Sequence, residues 1–193
     1  MRTIEERLDI LEQKIQSEDF RKNTGLGNEV GYYVFDYDPS QELTVRTRVK
    51  KLQETNTEKK FGYELIVYDL YELMLKLIQE DDEYDDLKEM EEEEGTDYIF
   101  TSIQQELNFD DENSIMIQYI MEHTPDDAVV FLTGVGKCFP ILRSHKILNN
   151  LHQQMDHCPV VMFFPGVYNG NSLRIFGEIK DDNYYRAFPL VER

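Results

Sequence analysis

What the chain lacks narrows its class first. Only two of its 193 residues are cysteines, Cys138 and Cys158, too few for a disulfide framework. No apolar run approaches the roughly 20 residues a membrane helix needs. The opening residues Met1-Arg2-Thr3-Ile4-Glu5-Glu6 carry no apolar stretch of a secretion signal, so a cytoplasmic protein is expected. Basic residues are scarce as well: 20 lysines and arginines face 39 aspartates and glutamates, for a formal charge of −19. Proteins that bind duplexes draw affinity from counterions displaced by Lys and Arg. The acidic balance therefore opposes direct nucleic-acid binding and suits solubility or a basic protein partner. No Pro-, Ser- or Gly-rich linker divides the chain. A chain of this length can bury about 70% of its unfolded surface, so one domain over 1–193 is expected.

Aromatic and β-branched residues are plentiful, and they alternate with helical patterns. Ile4, Leu8, Leu11 and Ile15 share one face of an N-terminal helix within 1–24, a face to pack on the body of the domain or, alternatively, to present a seam to another protein, before Gly25-Leu26-Gly27-Asn28 breaks the chain. Residues 30–37 read as a strand. Asp38-Pro39-Ser40-Gln41 then starts a helix, with Asp38 as cap, Pro39 at the first position and Gln41 closing a capping box. That helix turns Val45, Val49 and Leu52 inward and frays near Asn56. A second strand over 63–68 leads into Asp69-Leu70-Tyr71-Glu72, the same start signal, and a helix with Leu70, Leu73, Met74, Leu77 and Ile78 on its buried face.

Residues 80–96 form an acidic insertion, read as a solvated helix face or loop, with docking of a basic partner as the alternative. Helical patterns resume around Ile99, Ile103 and Leu107, then Ile117, Ile120 and Met121, and end at Asp126-Asp127. Residues 128–133 read as a central strand and 160–164 as another, closed by Pro165-Gly166. Between them lies a helix marked by Ile147, Leu148, Leu151 and Met155, with Ser144 as its cap. Residues 173–179 and 184–190 read as strands joined through Asp181-Asp182-Asn183 into a hairpin at the sheet edge, Pro189 sitting where no ladder bond is needed. The order β-α-β-α implies an α/β fold: one domain, a mostly parallel central sheet flanked by helices, and a C-terminal β-hairpin at the edge.

Chemistry has few places to hide. Thr133-Gly134-Val135-Gly136-Lys137-Cys138 follows a strand as a phosphate-binding loop would. The full motif is G-x-x-x-x-G-K-S/T, but Phe131 stands at the first glycine and Cys138 at the hydroxyl, a soft ligand for a hard ion. Pro140 also disfavours helical geometry at Phe139, so a phosphate-cradling helix is not expected from Gly136; a tight turn presenting Lys137 is. Asp36, Asp38 and Asp69 stand at strand ends, where ligands of open α/β sheets bind, but Asp38 and Asp69 also serve as helix caps. His123, His145, His152 and His157 lack metal-ligand spacing, and His157-Cys158 alone recruits no zinc. Ser144 has no G-x-S-x-G setting. No catalytic residue, metal site or cofactor is assigned. What remains is a tail rich in rings and arginines, residue types enriched at binding hot spots. Its candidates for partner contact are Tyr168, Arg174, Asn183, Tyr184, Tyr185 and Arg186. A weaker candidate phosphate-binding loop comprises Gly134, Gly136, Lys137, Arg143 and His145.

Residues 129–191 resemble the BrxB family of BREX loci. The matching blocks are Gly134-Val135-Gly136-Lys137 with Phe139-Pro140, and Arg143-Ser144-His145 running to Leu148-Asn149-Asn150-Leu151. They continue with Phe164-Pro165-Gly166 and Tyr168, Ser172-Leu173-Arg174, and 181–188. The resemblance implies a role in bacteriophage resistance beside the large ATPase BrxC, the alkaline-phosphatase-like PglZ and the adenine methyltransferase PglX. It brings no catalytic residues. The expected function is therefore a non-catalytic adaptor for PglZ and the ATPase; the alternative is a nucleotide- or phosphate-dependent enzyme or sensor using the glycine–lysine loop.

Overall fold

The computed structural model describes residues 2–22, 31–80, 84–108, 114–181 and 187–193. The break expected at 25–28, Val30, and the candidates Asn183, Tyr184, Tyr185 and Arg186 lie outside the described residues.

The strands are β1 (Tyr32–Tyr37), β2 (Glu64–Asp69), β3 (Ala128–Thr133), β4 (Val160–Tyr168), β5 (Leu173–Ile175), β6 (Ile179–Asp181) and β7 (Phe188–Pro189). The helices are α1 (Ile4–Gln16), α2 (Glu18–Arg21), α3 (Glu42–Thr55), α4 (Glu58–Phe61), α5 (Leu70–Glu80), α6 (Tyr84–Glu94), α7 (Thr96–Glu106), α8 (Ile115–Glu122), α9 (Val135–Cys138) and α10 (Ser144–Gln154). The main sheet runs β2-β3-β4-β1-β7, and every pairing along that path is parallel.

Burial on both faces explains why the central strands are continuous apolar runs. Successive side chains of a strand point to opposite faces. Val130, Leu132, Val160, Met162 and Phe164 accordingly join a core with α5, α7, α8 and α10. Val129, Phe131, Val161 and Phe163 join a second core with α1 and α3. Phe163 and Phe164, neighbours in sequence, are each 1% exposed in opposite cores. Burying such a ring contributes about 1.5–3 kcal/mol. Helix α1 buries Leu8, Leu11 and Ile15 in the second core and starts with a complete capping box between Thr3 and Glu6. None of the residues of acidic α6 is buried.

The start of α3 departs slightly from expectation. Asp38 does cap, accepting from the Ser40 N–H at 2.9 Å, but Pro39–Gln41 makes a 3-10 turn and Gln41 forms no side-chain cap bond. Ser144 is likewise not the cap of α10. It is the first helical residue, Arg143 occupies the cap position, and no side-chain cap bond is made.

A hairpin stands at the edge, but with shorter arms than the sequence implied. β5 and β6 pair antiparallel around Phe176-Gly177-Glu178, and β5 pairs antiparallel with the end of β4. The segment expected as the second arm instead supplies β7, a parallel edge strand on β1. Pro189 sits on that edge, where a missing N–H is tolerated, and the next N–H, of Leu190, bonds the Val34 carbonyl at 2.9 Å.

Candidate functional site

The connections leaving β1 and β3 diverge: β1 continues to α3 over one face, β3 to α10 over the other. A crevice forms at the carboxyl ends of strands wherever adjacent connections separate in this way. Here it measures about 180 Å³ and is lined among others by Tyr37, Glu42, Arg46, Lys137, Pro165 and Phe176. A larger hollow of about 460 Å³ lies toward the opposite ends of β2 and β3, between groups of both signs such as Arg21, Lys22, Asp126 and Asp127. Volume alone does not choose between them.

Two carboxylates mark the strand ends, and this chain's own cations hold both. Asp69, ending β2, accepts through Oδ1 from the N–H groups of Tyr71 (3.1 Å) and Glu72 (3.3 Å), capping α5. Its Oδ2 lies 2.7 Å from Lys137 Nζ, which also reaches Glu72 Oε1 at 3.4 Å and stands 5.4 Å from the Tyr71 ring centre. Partial burial pulls the Lys137 pKa down, but bonding to the Asp69 and Glu72 carboxylates more than offsets it, leaving the ammonium above the ordinary lysine value. Gly134 makes the approach possible. Its φ is +75°, and a Cβ there would lie 2.3 Å from Asp69 Oδ1. A short helix, α9, begins directly after Gly134 but ends at Cys138; Phe139 before Pro140 is extended, as the sequence implied.

Asp36 near the end of β1 is only 5% exposed. Arg7 donates to its carbonyl at 2.6 Å and its Oδ1 at 2.8 Å, and to the Val191 carbonyl at 2.8 Å. Arg193 Nε and the Tyr168 N–H donate to Oδ2 at 2.8 and 3.1 Å, and Arg193 also bonds the Gly166 carbonyl. Asp36 thus ties the first helix to the C-terminal segment. The enzyme alternative requires Asp36, Asp69 and the glycine loop to converge; Asp69 and the loop meet, whereas Asp36 is engaged by Arg7, Arg193 and the Tyr168 amide. Among the described residues no cluster of three His, Cys, Asp or Glu could hold a metal ion. The two thiols are buried, which pushes each up to about 12, so neither is a thiolate nucleophile near neutrality.

Of the proposed contact residues, Tyr168 is buried, its hydroxyl donating to the carbonyls of Ala187 (2.6 Å) and Gly170 (3.1 Å). It supports the tail from beneath. Arg174 is exposed on β5 opposite Val167 of β4, itself 38% exposed. Arg143 is exposed at the start of α10, while His145 is buried within it. Sequence reasoning missed Arg7 and Arg193. Arg7 left a signal, because it lies three residues after Ile4 and four before Leu11, inside an otherwise apolar helical stripe. Arg193 left none.

These features describe a parallel α/β domain with ion-paired strand ends and an added antiparallel hairpin. The chain belongs to the BrxB family: the family profile described as "BREX protein BrxB" matches residues 66–190. The chain is 47% identical over 193 residues, the whole of both sequences, to "BREX protein BrxB" of Bacillus cereus (strain H3081.97). It is 30% identical over 189 residues to "BREX protein BrxB" of Escherichia coli O9:H4 (strain HS), covering 97% of this chain and 92% of that one. No solved structure is significantly similar. Among the described residues no helix is long and apolar enough to cross a membrane.

Proposed function

We propose that this protein is a non-catalytic component of a BREX bacteriophage-resistance complex, acting in the cytoplasm as an adaptor for PglZ and the large ATPase, with PglX in the same assembly. The observation that carries the reading is the state of the strand ends. Where an α/β enzyme would hold free carboxylates, Asp36 is bonded by Arg7 and Arg193 and Asp69 by Lys137. Such closure suits a rigid platform. The hairpin and the end of β4 meanwhile set partly exposed Val167 beside Arg174 on one face, an apolar and cationic combination suited to protein contact. Tyr185 and Arg186, candidates from the sequence alone, are tested alongside it.

Replacing Val167 and Arg174 by Ala, or Tyr185 and Arg186 by Ala, is expected to weaken co-purification of PglZ with this protein at an unchanged melting temperature. Undiminished recovery of both PglZ and the ATPase with all four residues replaced would remove the hairpin from the interface.

A further inference from the structure

A third hollow, beside the Lys137 cleft, lies between the hairpin and the start of α10. It measures about 220 Å³. Val135, Leu142, Phe164 and Ile175 form its buried apolar walls, and Phe139 and the 46%-exposed Ile179 stand at its rim. Its remaining described lining residues are Arg143 and Ser144.

The polar end is built differently from the rest of this acidic surface. α10 runs for 11 residues, and its cap residue Arg143 makes no side-chain cap bond; the start of a helix carries partial positive charge. Ser144 is only 7% exposed, yet among the described residues its hydroxyl makes no hydrogen bond. Ser144 lines the groove, and its hydroxyl can donate to a ligand acceptor there. Arg143 is exposed at the same end and makes no ion pair with a described residue. In a chain of charge −19, none of the described residues lining this groove is acidic. Long-range repulsion fades beyond roughly 8 Å at physiological salt, so these local groups decide what binds.

The complement to such a groove is one negative, hydrogen-bond-accepting group attached to a compact apolar body. Pockets for whole small-molecule ligands span about 300–1,000 Å³; this one is smaller and closer to a single large side chain. Capture of a chain-terminal carboxylate is a recurring mode of peptide recognition. We infer that this groove binds the free C-terminal carboxylate of a partner polypeptide whose last residue is large and apolar. The carboxylate accepts from the Ser144 hydroxyl and pairs with Arg143 at the start of α10, and the side chain packs against Val135, Leu142 and Ile179. That a protein partner exists rests on the adaptor reading; the groove itself lies apart from the Val167–Arg174 face.

The test is an NMR titration of the isotope-labelled full chain with acetyl-Gly-Ser-Gly-Ser-Ala-Leu bearing a free carboxylate. Its C-terminal amide and 4-methylpentanoate serve as comparison probes. The expected result is saturable shifts at the amides of Val135, Leu142, Ser144 and Ile179. Binding should weaken about tenfold or more for the peptide amide, in Arg143→Ala and in Ser144→Ala. Arg143 is exposed, so its variant is expected to fold, and an unchanged amide spectrum away from the groove verifies this. Equal affinity for the amide, absence of shifts at millimolar peptide, or binding of 4-methylpentanoate as tight as the peptide each overturn the inference, the last by marking a small-acid site. PglZ co-purification is scored separately, so failure here with intact co-purification leaves the adaptor reading standing.

Discussion

Arg7 and Asp36 form an ion pair at 2.8 Å with both side chains less than a tenth exposed, joining the first helix to the end of the first strand. The Arg7 guanidinium also lies 4.8 Å from the centre of the Phe35 ring, and through the Val191 carbonyl it reaches the other end of the chain. One buried contact therefore closes the fold.

Removing one partner should be costly, because the other charge stays buried. Asp36→Ala and Arg7→Ala are each expected to destabilise by about 3–5 kcal/mol, lowering the melting temperature by roughly 6–20 °C for a domain of this size. Arg7→Met with Asp36→Leu should recover part of the loss. Chemical denaturation of both single alanine variants and their double variant gives the coupling; losses that simply add would show that the pair does not interact.

Gly134→Ala probes the junction of β3 with α9. A left-handed backbone costs a residue with a Cβ about 1–2 kcal/mol, and that Cβ would fall 2.3 Å from Asp69 Oδ1. Asp69 would have to leave its cap on α5 or its contact with Lys137. We expect a loss of about 2 kcal/mol or more, measured by urea unfolding, with Gly62→Ala as reference, since Gly62 shares the left-handed backbone and a Cβ there meets only the end of the Arg21 side chain at 3.8 Å. Equal losses in the two variants would point to backbone strain alone and dismiss the Asp69 contact.

The buried thiols make the protein sensitive to alkali. Cys138 and Cys158 titrate near 9 when solvated and near 12 in the fold, burial being the main cause in both. Since their folded values are raised, their contribution to stability is complete below about pH 9 and is lost as pH climbs toward 12, at up to about 1.4 kcal/mol per pH unit for each thiol. Denaturation midpoints should thus fall above pH 9, and less steeply in Cys138→Ala with Cys158→Ala. At pH 8 the native protein should resist thiol reagents until denaturant is added; rapid labelling without denaturant would contradict the burial of both.

Much of the secondary structure was legible because its signals are local. Asp38-Pro39 and Asp69 act within a few residues, and the stripe from Leu70 to Ile78 meets a helix repeat wherever the helix finally docks. The weaker readings involved choices that local pattern leaves degenerate. Arg143 rather than Ser144 stands at the cap of α10, since either neighbour could take the non-helical backbone. The β-rich stretches 173–179 and 184–190 looked like two arms of one hairpin. A turn at Phe176 and Gly177, both with positive φ, folds the first stretch on itself, and β1 takes Phe188–Pro189 from the second.

By itself the sequence determined that this is an acidic α/β domain with helices on both sides of a mostly parallel sheet, and its C-terminal blocks determined the family. Only the tertiary structure decided the strand order, the bonding of Asp36 to Arg7 and Arg193, and the groove shared by Val135, Ser144 and Ile179. The reason is one of range. Periodicity and capping match neighbouring residues to backbone geometry, whereas these contacts join residues from 29 to 157 positions apart or from separate elements, and become favourable only once the sheet has brought them together.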